Sequence, residues 1–268
     1  MRVLPVILAL LAAPASAQPL TVKGSDTLVG LAQRWAAAVM REDRALRIHV
    51  TGGGSGTGLA ALENGSTDIA MSSRPISDEE RERLVQRYGA PPREVAVARD
   101  GVAFFVNEEN PVRSLTLPQL RALFLGDVER WREVGGPDRL VVLYTRENSS
   151  GTYEFVRERL LGEDDFAPRS QPLPGTGAVV SAVSREKWGL GFGGAAFAKR
   201  VATLGIEVNG RVEHPTPEAM AQGRYPFSRS LYFYLPPEPS PAALRFLDFV
   251  LSPRAQAMAR AAGFFPLE

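Results

Sequence analysis

Short apolar or alternating runs recur along this chain, and most are followed by a stretch whose apolar residues fall at helical spacing. Residues 18–24 alternate into a strand. Leu28, Leu31, Trp35 and Val39 then mark one buried face of a helix opened by Ser25-Asp26-Thr27. Residues 47–51 read as the next strand, and glycines at 52–58 lead into a second helix. Residues 68–72 form a third strand. Ser77 with Glu80 three positions on is a capping box for a charged, solvent-facing helix, and Thr116 with Gln119 is another. Between them lies a long apolar passage, 94–98 and 101–106, interrupted by the polar pair Arg99-Asp100. Residues 140–144 predict a strand before a polar loop and a helix starting at Ser150-Gly151-Thr152. A Pro/Gly loop at 169–177 enters a helix over 178–188, then a short strand at 189–192 and a helical turn over 195–200. Residues 201–224 read as a strand pair with loops, and 231–235 as a β-rich apolar run. Ser240-Pro241 and Ser252-Pro253 each set Ser at an N-cap and Pro at the first helical position.

Alternating strands and helices predict an α/β chain with mainly parallel sheets. In such folds helix N-termini gather at the carboxyl edge of the sheet, where ligands bind. Four of the predicted helix starts are rich in Gly, Ser and Thr: 24–27, 52–58, 149–152 and 175–177. A helix start presents backbone N–H groups without intrahelical partners and carries partial positive charge. Gly151 permits close backbone approach, Ser150 and Thr152 add hydroxyls, and Arg146 adds a planar fork of donors suited to tetrahedral oxyanions. The stretch 146–152 is therefore built as an anion site.

Composition narrows the rest. Residues 1–17 read as a secretory signal: Arg2, an apolar run over 6–13, and the small-x-small Ala15-Ser16-Ala17. The run is shorter than the roughly 20 residues a membrane span needs. Maturation near Gln18 predicts a soluble protein outside the inner membrane. The absence of cysteine argues against a lipoprotein anchor, disulfides and thiolate sites. The chain has 31 basic and 30 acidic residues; removing Arg2 with the signal leaves 30 of each, which points away from nucleic acid or membrane surfaces. With only His49 and His214, the first a candidate buried imidazole and the second a loop residue, no imidazole metal site is expected. Trp35, Trp131 and Trp188 read as packing residues, and 232–234 as a buried strand.

Two enzyme-like motifs are weak. Gly189-x-Gly191-x-x-Gly194 follows a helix and has no suitably placed acid beyond a strand. Ser184-x-x-Lys187 has the spacing of a Ser–Lys pair without its companion elements.

The motifs GSDT at 24–27, GGGSGTG at 52–58, DIAMSSRPIS at 68–77 and RENSSGT at 146–152, with the ending FLDFVLSPRAQ…GFFP, resemble the substrate-binding protein of the bacterial phosphate ABC transporter. The resemblance covers essentially the whole chain after the signal. It implies a two-lobed type II periplasmic binding protein with a central cleft, lobe 1 being 18–102 plus 228–268 and lobe 2 being 103–227. Hinges are expected near 98–101 and 227–231. It implies that Ser25, Thr27 and Ser55 contact the anion from one lobe and Arg146, Ser150, Gly151 and Thr152 from the other. The partners implied are inorganic phosphate and an inner-membrane ABC permease, with no cofactor, no metal, no catalytic residue and no nucleic acid. A monomer is expected.

One departure bears on selectivity. Many relatives place an Asp in the loop after the third strand, where it accepts the proton of hydrogen phosphate; here the loop reads Ser72-Ser73-Arg74. Ser73 and Arg74 join the candidate ligands, with Arg74 read either as an anion ligand or as a salt-bridged rim residue. Asp26 is the first local substitute for the missing carboxylate and Glu147 the second. Sulfate or molybdate binding is the alternative reading, and a serine hydrolase a more distant one.

Overall fold

The computed structural model describes residues 18–162 and 164–267; the signal read at 1–17 lies outside them. A first group of elements comprises β1 (Leu20–Gly24), α1 (Asp26–Glu42), β2 (Ile48–Thr51), α2 (Ser55–Glu63), β3 (Ile69–Ser72) and α3 (Asp78–Tyr88). The long strand β4 (Arg93–Val106) leads into a second group. It holds β5 (Ser114–Thr116), α4 (Leu117–Leu125), β6 (Val142–Arg146), α5 (Gly151–Val156), β7 (Gln171–Leu173) and α6 (Gly175–Arg185). It continues through β8 (Gly189–Gly194), β9 (Ala202–Thr203), β10 (Gly205–Val208), β11 (Arg211–Glu213) and α7 (Pro217–Ala221). The chain returns by β12 (Ser228–Leu235) and ends with α8 (Pro241–Leu251) and α9 (Pro253–Ala261).

The main sheet runs β2-β1-β3-β12-β4-β8-β6-β7. It is parallel where strands feed helix mouths (β1 with β2 and β3, β6 with β7 and β8). It is antiparallel along the two crossing strands, β12 on β3 and β4, and β4 on β8. Two main cores lie on either side of those crossings. One gathers Leu28, Leu31, Trp35, Phe233 and Phe246. The other gathers Phe104, Phe124, Trp131, Phe192 and Phe227. Val102, placed in lobe 1 by the sequence, packs with the second core.

Local chemistry explains the element ends. In α1 the apolar stripe is buried, and Trp35 Nε1 donates to the Ala255 carbonyl at 2.9 Å, tying α1 to α9. Both capping boxes form, at Ser77/Glu80 and Thr116/Gln119. Ser240 and Ser252 cap α8 and α9 with Pro at the first turn.

Some expectations shift. The strand read at 140–144 is β6 two residues later, because Leu140 is solvent-facing and meets only Arg130 in an isolated bridge; Arg146 thereby becomes the last residue of the strand. His49 is exposed, not buried, because strand β2 sits at the sheet edge. A short helix, α7, capped by Thr216, occupies part of the stretch read as strands and loops. The polar interruption Arg99-Asp100 does not break β4: Asp100 is fully buried and ion-paired with Arg229 of β12 at 2.8 Å. Burial pushes the Asp100 carboxyl up from its ordinary value, opposed by the neighbouring guanidinium.

Candidate functional site

All four Gly/Ser/Thr-rich helix starts follow parallel strands and open at one place, between the two cores. β1 ends at Gly24 and delivers Ser25, Asp26 and Thr27; β2 leads through Gly52-Gly53-Gly54 to Ser55. β6 ends at Arg146 and leads to Ser150, Gly151 and Thr152, and β7 leads to Thr176. Ser25, Thr27, Ser55, Ser73, Ser150 and Thr152 are all buried. Burying six hydroxyls among apolar cores is costly unless they have hydrogen-bond partners.

Their contacts are mutual and partly incomplete. Ser55 Oγ lies 3.3 Å from Ser73 Oγ and accepts from Ser73 N at 3.0 Å. Across the cleft, Thr27 Oγ1 is 3.3 Å from Thr152 Oγ1. Ser150 Oγ accepts from Thr152 N and Tyr153 N, which leaves its O–H free to donate. Ser25 sits at the N-cap of α1 but caps no backbone N–H, and α2, entered at Gly54, has no side-chain cap either.

Arg146 is 1 % exposed and is held on three sides. Nε and Nη2 donate to the two Glu147 oxygens at 3.0 and 2.8 Å, Nη2 also to Asp26 Oδ2 at 3.1 Å, and Nη1 to Thr176 Oγ1 at 3.1 Å. Of five guanidinium N–H donors, these four bonds leave one, on Nη1. Asp26 Oδ1 accepts in turn from Gly53 N at 2.9 Å. One cation therefore stands beside two carboxylates, and the positive potential of the site comes chiefly from hydroxyl and backbone dipoles.

The two halves are in contact. Gly56 N donates to the Ser149 carbonyl at 3.0 Å, and Ser149 Oγ to the Gly53 carbonyl at 3.1 Å. Gly54 has φ +92°, and a Cβ there would lie 2.3 Å from the Ser149 oxygen, so only glycine fits. At Gly151 a Cβ would meet Ser55 Oγ at 2.3 Å and Ser73 Oγ at 2.8 Å. Gly151→Ala is expected to weaken anion binding about tenfold or more by holding the halves apart, as overpacking does, with little change in melting temperature. Titration calorimetry beside thermal melts checks both parts.

Arg74 is placed differently from the anion-ligand expectation. Its Nη1 and Nη2 donate to Glu80 at 2.7 and 2.8 Å, Nη1 also to the Pro75 carbonyl, and Nε lies 2.6 Å from Glu154 Oε2 in the opposite half. The guanidinium is engaged by carboxylates from both halves and bridges the cleft rim. Burial alone would raise the Glu80 carboxyl, but the Arg74 hydrogen bonds and charge with the Ser77 N–H hold it below its ordinary value. That stabilisation is complete above the unfolded carboxylate pKa of about 4.3 and is lost as pH falls through the lower folded value. Glu80→Gln should thus lower the melting temperature at pH 7, and the gap from wild type should close in increasingly acid buffer.

Thr176 and Glu154 were not singled out as individual residues by the sequence. The fourth glycine-led start, at 175–177, was the signal for Thr176; nothing local marked Glu154, whose partner is 80 positions away. The enzyme-like motifs dissolve into structure: Ser184 Oγ donates to the Ser181 carbonyl, Lys187 pairs with Glu109, and Gly189–Gly194 is strand β8.

The PBP superfamily domain model matches residues 12–254. The phosphate-binding protein PstS of Pseudomonas aeruginosa is 34% identical over 264 residues, covering 91% of this chain and 81% of the relative. PstS of Staphylococcus epidermidis is 30% identical over 246 residues, covering 88% and 75%. Among solved structures, a phosphate ABC transporter substrate-binding protein from Clostridium perfringens with bound phosphate superposes with TM-score 0.86 at 25% identity, covering 94% of this chain and all of that one. An ABC-type phosphate transport receptor from Vibrio cholerae gives 0.76 at 25% identity, covering 92% and 100%. The fold is that of a type II binding protein, and the chain belongs to the PstS family within the PBP superfamily.

Proposed function

We propose that this protein captures inorganic phosphate in the cleft between its two lobes and hands it to an inner-membrane ABC permease. The observation that carries the proposal is the gathering of six buried hydroxyls, five from helix starts in both halves and Ser73 from the loop after β3, in the cleft beside the buried guanidinium of Arg146. Ser25, Thr27, Ser55 and Ser73 supply donors from one side, and Ser150, Gly151, Thr152 and Arg146 from the other. Backbone N–H groups at the helix starts spread the ligand's charge over fixed dipoles. Arg74 serves the rim as a cross-cleft latch. The names and bound phosphate of the relatives point to the same anion.

Opening and closing take place about 98–101 and 227–231, where β4 and β12 pass between the cores. The lobes proposed are 18–102 plus 228–268, and 103–227, with Val102 at the boundary already packed against the second core. The signal at 1–17 directs the chain to the periplasm, where it acts as a monomer without a cofactor or catalysis.

Phosphate is favoured over sulfate by the two carboxylates on Arg146. A sulfate, which carries no proton, faces Asp26 and Glu147 as repulsive neighbours. Hydrogen phosphate donates its proton to one of them, and Asp26, also fixed by the Gly53 N–H, is the acceptor. Asp26→Asn should therefore weaken phosphate binding and strengthen sulfate binding, narrowing the ratio about tenfold or more, as expected for a hydrogen bond to a charged group. Equilibrium dialysis against both labelled anions reads the ratio; an unchanged ratio assigns the discrimination elsewhere. A chromogenic phosphate ester separates the hydrolase alternative, since a binder gives no turnover.

A further inference from the structure

The guanidinium N–H that Arg146 keeps for a ligand is on Nη1, and the other hydrogen of that nitrogen goes to Thr176 Oγ1 at 3.1 Å. A guanidinium is planar with its donors in a rigid fork, so fixing one Nη1 hydrogen aims the other. The remaining contacts act elsewhere on the group. Asp26 reaches Nη2 from α1, across the cleft, so opening the cleft withdraws it. Glu147 takes Nε and Nη2 and leaves Nη1 alone. Among the described residues the partner of Nη1 is Thr176, and it lies in the same half as Arg146.

The fold delivers Thr176 to this place and locks it. β7 pairs with β6 in parallel, with Leu173 opposite Arg146, and α6 opens at Gly175, which sets Thr176 beside a guanidinium 30 positions away. Thr176 is buried, and its methyl is seated on Gly193 of β8. A Cβ on that glycine would lie 2.2 Å from Thr176 Cγ2 and 3.1 Å from Oγ1, so the methyl occupies the room that a side chain there would fill. A β-branched residue has little χ1 freedom to begin with. Thr176 is also neutral. Arg146 already faces two carboxylates, and Thr176 accepts from it without setting a third negative charge against an anion.

We propose that Thr176 is a positioning residue for anion capture, turning the Arg146 guanidinium so that its free Nη1 hydrogen is aimed at the ligand before the ligand arrives. Gly193 holds Thr176 in the rotamer that does this. Because Thr176, Gly193 and Arg146 share one half, the arrangement persists when the cleft is open and Asp26 has withdrawn. This role rests on the cleft being the phosphate site.

In the phosphate-stripped protein, isotope-edited NMR of the arginine side chains should show two distinct Nη1 protons for Arg146, identified by their absence in Arg146→Lys. Thr176→Val keeps the side-chain shape without the acceptor and should merge them into one averaged signal, as the Cζ–Nη1 bond turns. Calorimetric titration should then give Thr176→Val a phosphate affinity about tenfold weaker than wild type, the scale of a hydrogen bond to a charged group. Thr176→Ser, which keeps the oxygen, should recover most of that loss. Gly193→Ala should weaken binding likewise, and adding Thr176→Ser to it should restore affinity, because losing the methyl vacates the place of the new Cβ. The Thr176 pair decides the matter even where Gly193→Ala does not fold. Distinct Nη1 protons or undiminished affinity in Thr176→Val would overturn the proposal, as would Thr176→Ser binding no better than Thr176→Val. A wild-type protein that binds no phosphate would instead remove the phosphate reading, and the ligand-free spectra still decide whether Thr176 holds Arg146.

Discussion

Arg146→Ala is expected to lower phosphate affinity by about 2–5 kcal/mol, or roughly 30- to several-thousand-fold, the range for truncating one partner of a buried charge pair. The magnitude follows from what the guanidinium holds apart and together. It is 1 % exposed and is the cation that neutralises Asp26 and Glu147 at the mouth of α1 and α5. Removing it deletes the remaining Nη1 donor to the ligand and leaves two carboxylates facing an incoming dianion. Thr176 Oγ1 also loses its donor. Arg146→Lys should recover only part of the loss, since a point charge cannot serve Asp26, Glu147 and Thr176 from one plane. Titration of phosphate into each variant gives the numbers, and wild-type affinity in Arg146→Ala would remove Arg146 from the site.

Asp100→Ala should have the largest effect on stability, about 3–5 kcal/mol, because it strands Arg229 as an uncompensated buried charge. Neither partner has access to water: the side chains are 0 and 2 % exposed. The pair joins β4 to β12 where the antiparallel ladder passes between the cores, Arg229 opposite Asp100 in register. Replacing both, as in Asp100→Leu with Arg229→Met, should cost far less than the single change, since an apolar pair of similar volume removes two desolvation penalties at once. Urea midpoints for the two singles and the double give the coupling directly. A double variant as unstable as Asp100→Ala would show that the ion pair is not the source of the loss.

The parts of this molecule carried by local chemistry were readable in the chain. Helix starts advertise themselves through Ser25, Ser77, Thr116, Ser240 and Ser252, and a glycine run such as 52–54 marks a backbone that must come close to something. The hydroxyl cluster was legible because each of its members sits within a few residues of such a start. What the chain did not disclose depends on partners distant in sequence. Arg74 turned out to be held by Glu80 and by Glu154 of the other lobe, and only the latter contact, across the closed cleft, explains its place at the rim. Asp100 looked like an interruption of an apolar passage; its meaning came from Arg229, 129 positions later. His49 lies on a strand of alternating pattern, and periodicity alone does not say which strand ends at the sheet edge.

The departure in the loop Ser72-Ser73-Arg74 carries the clearest functional consequence. With no carboxylate in that loop, the discrimination against sulfate proposed above rests on the two carboxylates that accept from Arg146, Asp26 and Glu147. Calorimetric titration of the phosphate-stripped protein, beginning at Gln18, with phosphate and then with sulfate is the most direct test of this account. One phosphate bound per chain at micromolar or tighter affinity, with sulfate excluded, is the expected result. Equal affinity for sulfate, or no heat from phosphate, would contradict it.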